Sequence, residues 1–212
     1  MMQYIPELDK REIEDNHKHF NERISLYKSK GLDFIKSREF ILEKAGSLSG
    51  SVLEIGAGTG YTTLFLAREG RDLTAIDADR EALKKTALNL AYEDLRLKVK
   101  LYVMNAKVLA FDNSSFKNII CLNMLHHIDN ADKIFLEMDR ILCPDGKIIL
   151  ADFNKKGMGL VNSVHQQESR THEDSGIGQD LSYDYFYGLG YKVKSYEEEY
   201  HWVLIAEKEI QK

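Results

Sequence analysis

Cysteine is nearly absent: Cys121 and Cys143 are the only two among 212 residues. They lack metal-ligand spacing and cannot make a disulfide framework, so the chain must rely on its core, which this length suffices to build. Apolar runs long enough to cross a bilayer are missing. The N-terminus, M-M-Q-Y-I-P-E-L-D-K-R-E, is polar and carries no hydrophobic leader segment. A reducing, cytoplasmic setting without membrane insertion is therefore expected. An excess of positive charge is also lacking, since 29 Lys+Arg against 34 Asp+Glu give a net charge of -5. Overall electrostatics offer no reason to approach a polyanion, and a nucleic-acid partner is not expected. Internal repeats and low-complexity tracts are absent as well. The remaining composition, 43% hydrophobic and 30% charged, is that of a globular domain.

Against these absences stands one dense stretch, V-L-E-I-G-A-G-T-G over Val52 to Gly60. A short apolar run ending in three alternate glycines reads as a buried strand, a tight turn and a helix start. Alternate glycines leave a shelf free of side chains over the strand end, where a flat ligand can lie against the backbone.

Before this stretch, Ile13, His17, Phe20, Ile24 and Tyr27 recur at spacings of four and three, the period of one helix face. Ile35, Arg38, Ile41, Leu42 and Ala45 mark a second helix, with Gly31 between the two. This arm should pack beside or over the glycine stretch, either as a cover for the sheet or as a lid. From Ser51 onward strands and helices alternate: strand Ser51 to Ile55, helix Tyr61 to Arg68, strand Leu73 to Ile76 ending in Asp77. Asp79 looks like the N-cap of a helix carrying Leu83, Ala87, Leu90 and Ala91. A third strand falls within Lys98 to Met104, and a fourth, nearly all apolar, spans Phe116 to Leu122. A helix over Asn130 to Leu142 follows, then a Pro144-Asp145-Gly146 turn and a fifth strand over Lys147 to Ala151. Residues 153–180 are irregular, with one helix near Leu160 to Arg170. A helix near Leu181 to Gly188 precedes two strands, Tyr191 to Tyr196 and His201 to Glu207, which should pair antiparallel at a sheet edge. Glu197 to Glu199 reads as the solvated turn between them. The pattern predicts an α/β fold: a doubly wound, mostly parallel seven-stranded sheet with an antiparallel edge hairpin and an N-terminal helical arm. Ligands then sit beyond the carboxyl ends of the strands.

Spacing separates the nucleotides such a shelf could hold. A dinucleotide fingerprint needs a third glycine at position 61, where Tyr61 stands, and no phosphate-binding G-K-[ST] is present. Glu54 places a carboxylate at the strand end, suited to a ligand carrying ammonium and sulfonium charges. Asp77, 21 residues after Gly56, is placed to accept both ribose hydroxyls.

With these residues in view, the chain resembles the class I S-adenosylmethionine-dependent methyltransferases, whose fold is Rossmann-like, over roughly residues 45–152. E-I-G-A-G-T-G is similar to the family's first motif and A-I-D-A-D to its second; Cys121 to Ile128, C-L-N-M-L-H-H-I, is similar to its fourth-strand segment. L-E-M-D-R-I-L-C-P-D-G-K-I-I-L-A-D-F is similar to the helix, turn and fifth strand of its small-molecule and quinone-type members. The resemblance implies S-adenosyl-L-methionine as cofactor and S-adenosyl-L-homocysteine as product. It implies a cofactor site made by Glu54, Gly56, Ala57, Gly58, Gly60, Asp77, Ala78, Asn105, Ala106 and Asn123. Asn105 stands where the family often has a carboxylate, and Asp145 where a glycine is usual.

One domain is expected: a helical arm over 1–45, a cofactor core over 46–152, a cap over 153–190 that with the arm chooses the acceptor, and edge strands over 191–212. Methyl transfer from a sulfonium is an in-line displacement that mainly requires alignment and exclusion of water. His126 and His127, after the fourth strand, are candidate base or acceptor-orienting groups; the bland alternative is that one caps backbone and the other faces solvent. Arg38 could pair with the cofactor's carboxylate and Tyr27 close over its methionine end. His165, Glu168 and His172, with Glu173 adjacent, share a face if a helix runs there, which reads as a solvated helix rather than a metal site. Tyr183, Tyr185, Phe186 and Tyr187, and likewise Tyr196, Tyr200 and Trp202, read as packing groups more than as an acceptor pocket. A small-molecule acceptor is favoured. The alternatives are a protein or nucleic-acid methyltransferase, disfavoured by the lack of an N-P-P-Y type of motif, and a cofactor sensor without transfer.

Overall fold

The computed structural model describes residues 2–128, 130–167 and 177–208. Two helices open it, α1 (Lys10–Ser29) and α2 (Phe34–Ala45), each started by an aspartate whose carboxylate accepts the free N–H groups of the first turn. Asp9 accepts from Arg11 and Glu12, and Asp33 from Ile35 and Lys36. Gly31 turns the chain between them at φ +103°, and a Cβ there would meet the Tyr200 hydroxyl at 2.5 Å. Then follow β1 (Val52–Ile55), α3 (Tyr61–Arg68), β2 (Leu73–Asp77), α4 (Arg80–Tyr92), β3 (Val99–Val103) and β4 (Phe116–Leu122). The second half contains α5 (Asp132–Ile141), β5 (Leu142–Phe153), α6 (Lys155–Gln167), α7 (Gln179–Gly188), β6 (Lys192–Glu197) and β7 (His201–Glu207).

Seven strands form one sheet in the order β3-β2-β1-β4-β5-β7-β6. The strands β1 to β5 run parallel, while β7 pairs antiparallel with both β5 and β6. This is the doubly wound sheet with an edge hairpin that the alternating pattern predicts. Successive side chains of a strand point to opposite faces, and two cores result. Val52, Ile120 and Leu122 pack with α2, α3 and α4 on one face. Leu53, Ile55, Ile119 and Cys121 pack with α5 and α7 on the other. Phe135 and Phe186, both fully buried, meet there at 5.0 Å between ring centroids. The aromatic run of α7 is thus mainly a packing device: Phe186 is core, while Tyr187 is 64% exposed. Chain order reverses between β1 and β4, so their connections leave in opposite directions and a crevice opens beyond their carboxyl ends.

Three local expectations are corrected. Pro144-Asp145-Gly146 does not separate a turn from a strand, because β5 runs unbroken from Leu142. Phe116 aligns with Leu142 and Asn118 with Lys147, so the extra residues bulge from a paired strand instead of ending it. The helix expected from Leu160 starts earlier, at Lys155, because the Asn154 carboxamide oxygen accepts the Gly157 N–H at 2.9 Å and caps it. Gly157 is also where α6 touches the hairpin, since a Cβ there would lie 2.1 Å from the Tyr200 carbonyl oxygen. Glu198 is not simply solvated. Its carboxylate lies 2.6 Å from His201 Nδ1 and accepts from the Ser37 hydroxyl at 2.9 Å, tying the hairpin to α2.

Candidate functional site

Gly56, Gly58 and Gly60 follow β1 with φ of +82°, +56° and +94°, a run of left-handed conformations open to glycine and strained for other residues. A Cβ on Gly58 would meet nothing within 4 Å, so its upper side is bare backbone facing open space. A Cβ on Gly60 would instead press on Thr86 at 3.2 Å, so this glycine permits close contact between the α3 N-terminus and α4. The loop is held from α4: the Thr86 hydroxyl donates to the Gly58 carbonyl at 2.7 Å, and the Asn89 amide to the Thr59 carbonyl at 2.9 Å. Both residues are polar positions on the otherwise apolar stripe of Leu83, Ala87 and Leu90, a signal present in the sequence but unused. Thr86→Val removes one such bond, worth about 1 kcal/mol. Affinity for S-adenosylhomocysteine is then expected to fall about fivefold by calorimetry.

Two adjoining cavities lie at this sheet end, of about 1250 and 220 Å³. Gly56 and His127 border both, so the two lie side by side there. The smaller has a carboxylate at its rim, Asp77, and apolar walls from Ile76, Met104 and Ile134, with Ala78, Asn105 and Ala106 beside them. Asp77 accepts the Gly58 N–H at 2.7 Å on one oxygen and the Asp79 N–H at 2.8 Å on the other. Each oxygen keeps a further lone pair for a ligand hydroxyl. The Asn105 carbonyl oxygen is used locally, accepting the Lys107 N–H at 2.9 Å, while its amide group remains a donor.

The larger cavity is lined by Glu54, Ala57, Gly58, Asn123 and His126. Of the residues expected at the site, Gly60 alone lines neither space. Glu54 is buried and accepts the Thr63 hydroxyl at 2.6 Å. Burial pushes its carboxyl up to about 8, although the Thr63 bond and the Arg38 charge pull the other way. Arg38, 4% exposed, enters from α2. Its guanidinium stands 4.9 Å from the Phe34 ring centroid and donates through Nε to Thr62 at 3.3 Å. Burial lowers it to about 10, so it keeps its charge at neutral pH. Arg38 Nη1 and the Asn123 side-chain oxygen are both buried with no hydrogen-bond partner among the described residues. Asn123 also holds a left-handed φ of 55°, a strained conformation of the kind found where function requires it.

The N-terminal arm forms the outer wall. Phe20 and Phe34 pack on Tyr61 at 4.6 and 4.8 Å, and Tyr27 packs edge-on to Phe34 at 5.0 Å. At its outer end α1 is pinned to α4 by Asn16 to Asn89 at 2.9 Å and by the His17–Tyr92 stack at 3.5 Å. The arm is therefore both a cover for the α4 layer and a wall of the cavity. His165 on α6 faces α1, its Nε2 3.3 Å from Arg23 Nη2. The remaining members of the possible metal cluster, Glu168, His172 and Glu173, lie outside the described residues. Of the candidate bases, His126 is buried and paired with Asp152, and His127 is exposed.

A doubly wound parallel sheet with a glycine shelf and a strand-end carboxylate beside a switch-point crevice is an architecture common among nucleotide-binding α/β domains. Residues 53–150 match the family described as Methyltransferase domain. The ubiquinone biosynthesis O-methyltransferase of Xanthomonas oryzae pv. oryzae is 30% identical over 125 residues, 58% of this chain and 49% of that protein. The ubiquinone/menaquinone biosynthesis C-methyltransferase of Rickettsia massiliae is 27% identical over 160 residues, 73% of this chain and 62% of that protein. The chain thus spans about half to three-fifths of these relatives. A solved SAM-dependent methyltransferase from Aquifex aeolicus shares the fold with a TM-score of 0.64 at 16% identity, covering 80% of this chain and 88% of that one. Residues 53–150 thus resemble a methyltransferase domain, and the chain shares the fold of a solved SAM-dependent methyltransferase.

Proposed function

We propose that the protein transfers the methyl group of S-adenosylmethionine to a small-molecule acceptor by in-line displacement. The observation that carries this reading is the pair of buried, unpartnered groups in the larger cavity, Arg38 Nη1 and the Asn123 oxygen. Burying a polar group without a partner is costly. One cationic donor and one acceptor beside Glu54 match a ligand end bearing both a carboxylate and an ammonium. In this assignment Asp77 holds the ribose hydroxyls and the smaller cavity takes the adenine between Ala78, Asn105 and Ala106. Gly56 and Gly58 leave room for the chain that joins adenine to amino acid. When bound, S-adenosylmethionine supplies an electrophilic methyl on a sulfonium that leaves as a neutral thioether. The protein's part is to align the acceptor and exclude water, which the aromatic wall of Phe20, Tyr27 and Phe34 favours. Both named relatives act in quinone biosynthesis, which supports a small acceptor, as does the net charge of -5.

The test is linkage of cofactor binding to protons. Burial holds the proton on Glu54 up to about pH 8. An ammonium placed beside it lowers that pKa, so binding releases a proton at neutral pH. The bound state is the one with the lower pKa, so affinity for S-adenosylhomocysteine should rise from pH 6 towards about 8 and then level off, by at most about tenfold per unit. Calorimetry in buffers of different ionisation heat reads the released proton directly. Glu54→Gln retains the ligand's own ionisation and should lose the protein's share; unchanged proton release in that variant would contradict the assignment. Mass spectrometric detection of S-adenosylhomocysteine after incubation with cell extract separates a transferase from a sensor, which would bind without turnover.

A further inference from the structure

The turn of the edge hairpin, residues 197–200, is held from two sides. The Asn154 amide group donates to the Glu197 carboxylate at 3.2 Å and to the Glu198 and Glu199 carbonyls at 3.1 and 3.3 Å. Tyr200 packs with Tyr27, Leu32 and Phe34 of the N-terminal arm in one apolar cluster. Glu198 Oε1 accepts the Ser37 hydroxyl at 2.9 Å and lies 2.6 Å from Nδ1 of His201, which is fully buried. Burial would raise the Glu198 carboxyl, but the bonds from His201 and Ser37 outweigh it and hold it below its ordinary value. Burial lowers His201 in spite of that bond, so a neutral ring donates its Nδ1–H to an ionised carboxylate at neutral pH. Arg38 follows Ser37 on α2, and adjacent side chains of a helix point about 100° apart. Fixing Ser37 to the hairpin therefore fixes the direction in which Arg38 leaves the helix, which is into the larger cavity. Burial opposes the Arg38 charge, while Glu54, Tyr61 and Glu198 favour it.

We propose that Glu198 is a positioning residue for the ligand's carboxylate: by holding Ser37 it sets the direction of the Arg38 guanidinium without touching the ligand. This rests on the transferase reading above, in which Arg38 meets the carboxylate of S-adenosylmethionine. Ser37, Glu198 and His201 line neither cavity, so their effect on binding passes through a neighbour. Thr62 and Phe34 brace the far end of the Arg38 side chain, at 3.3 Å from Nε and 4.9 Å from the guanidinium. The hairpin turn fixes its root. A hydrogen bond weakens steeply as its donor turns out of line, so a small rotation of α2 costs affinity for the carboxylate. The nucleoside contacts on β1 and β2 are left as they were. The charge of Glu198 acts the other way, because a second carboxylate near Arg38 repels that of the ligand. Charge and placement thus have opposite effects on affinity, which makes them separable.

Calorimetric titration of the full chain with S-adenosylhomocysteine and with adenosine tests this, with circular dichroism as the control for folding. Ser37→Ala, which changes no charge, should weaken S-adenosylhomocysteine about fivefold and adenosine less than about twofold. Glu198→Ala should weaken S-adenosylhomocysteine about tenfold, although loss of a negative charge would by itself strengthen it. In an Arg38→Gln background each change should have less than about a twofold effect, because the group they place is gone. Equal losses for the two ligands, tighter S-adenosylhomocysteine in Glu198→Ala, or losses undiminished in the Arg38→Gln background would each overturn the inference. Where Glu198→Ala does not fold, Ser37→Ala and its cycle with Arg38→Gln decide alone. A wild type that binds no S-adenosylhomocysteine would instead bring down the transferase reading itself, and the inference with it.

Discussion

Gly56→Val is expected to lower affinity for S-adenosylhomocysteine by roughly a thousandfold. Gly56 sits at φ +82°, where a side chain costs about 1–2 kcal/mol. The new Cβ would also lie 2.6 and 2.9 Å from Met124 Cγ and Cβ, so Met124 must move, and it lines the smaller cavity. Gly56 itself borders both cavities, so added bulk there crowds the ligand space. Calorimetry with a circular dichroism control separates this loss from unfolding. Gly60→Ala is the matched comparison. Its Cβ points at Thr86 and away from both cavities, so it should lower thermal stability more than affinity. Equal affinity losses in the two variants would place the ligand elsewhere.

Arg38→Gln is expected to weaken S-adenosylhomocysteine about a hundredfold and adenosine hardly at all. Charge-assisted hydrogen bonds contribute about 1.5–3 kcal/mol each, and burial strengthens them. The guanidinium is already buried and braced by Thr62 and Phe34, so little ordering cost remains to be met on binding. Adenosine lacks the carboxylate and cannot sense the change. Removing the cation should also push the Glu54 carboxyl further up, since Arg38 is the positive charge that opposes its burial. Parallel calorimetric titrations with the two ligands decide the matter; an equal fall for both would show that Arg38 only supports the fold.

Much of the candidate site's backbone geometry was legible because its signals are local. The glycine at 60 and not 61, Glu54 before it and Asp77 at the next strand end lie within one β-α-β unit. Their conformations follow from short-range sterics, and Asp79 capping α4 is equally local. What escaped depends on partners distant in sequence. Pro144-Asp145-Gly146 has turn chemistry, but pairing with β4 turns it into a bulge. Glu198 looks like one of three solvated glutamates until α2 brings Ser37 against it. Arg38 occupies the apolar stripe of α2, and the structure buries it against Phe34 and Thr62 beside the cavity while leaving Ile35 45% exposed. Asp152 stands next to last in β5, as Glu54 does in β1, but nothing local in the sequence set it apart. Its partnership with His126 required the register of β5 beside β4.

The most direct measurement is a calorimetric titration of the wild-type chain with S-adenosylhomocysteine near neutral pH. One site per chain with affinity on the order of micromolar is predicted, together with proton release and markedly weaker binding of adenosine. No binding at millimolar ligand, or equal affinity for the two ligands, would contradict a cofactor site running from Asp77 past Gly56 to Arg38.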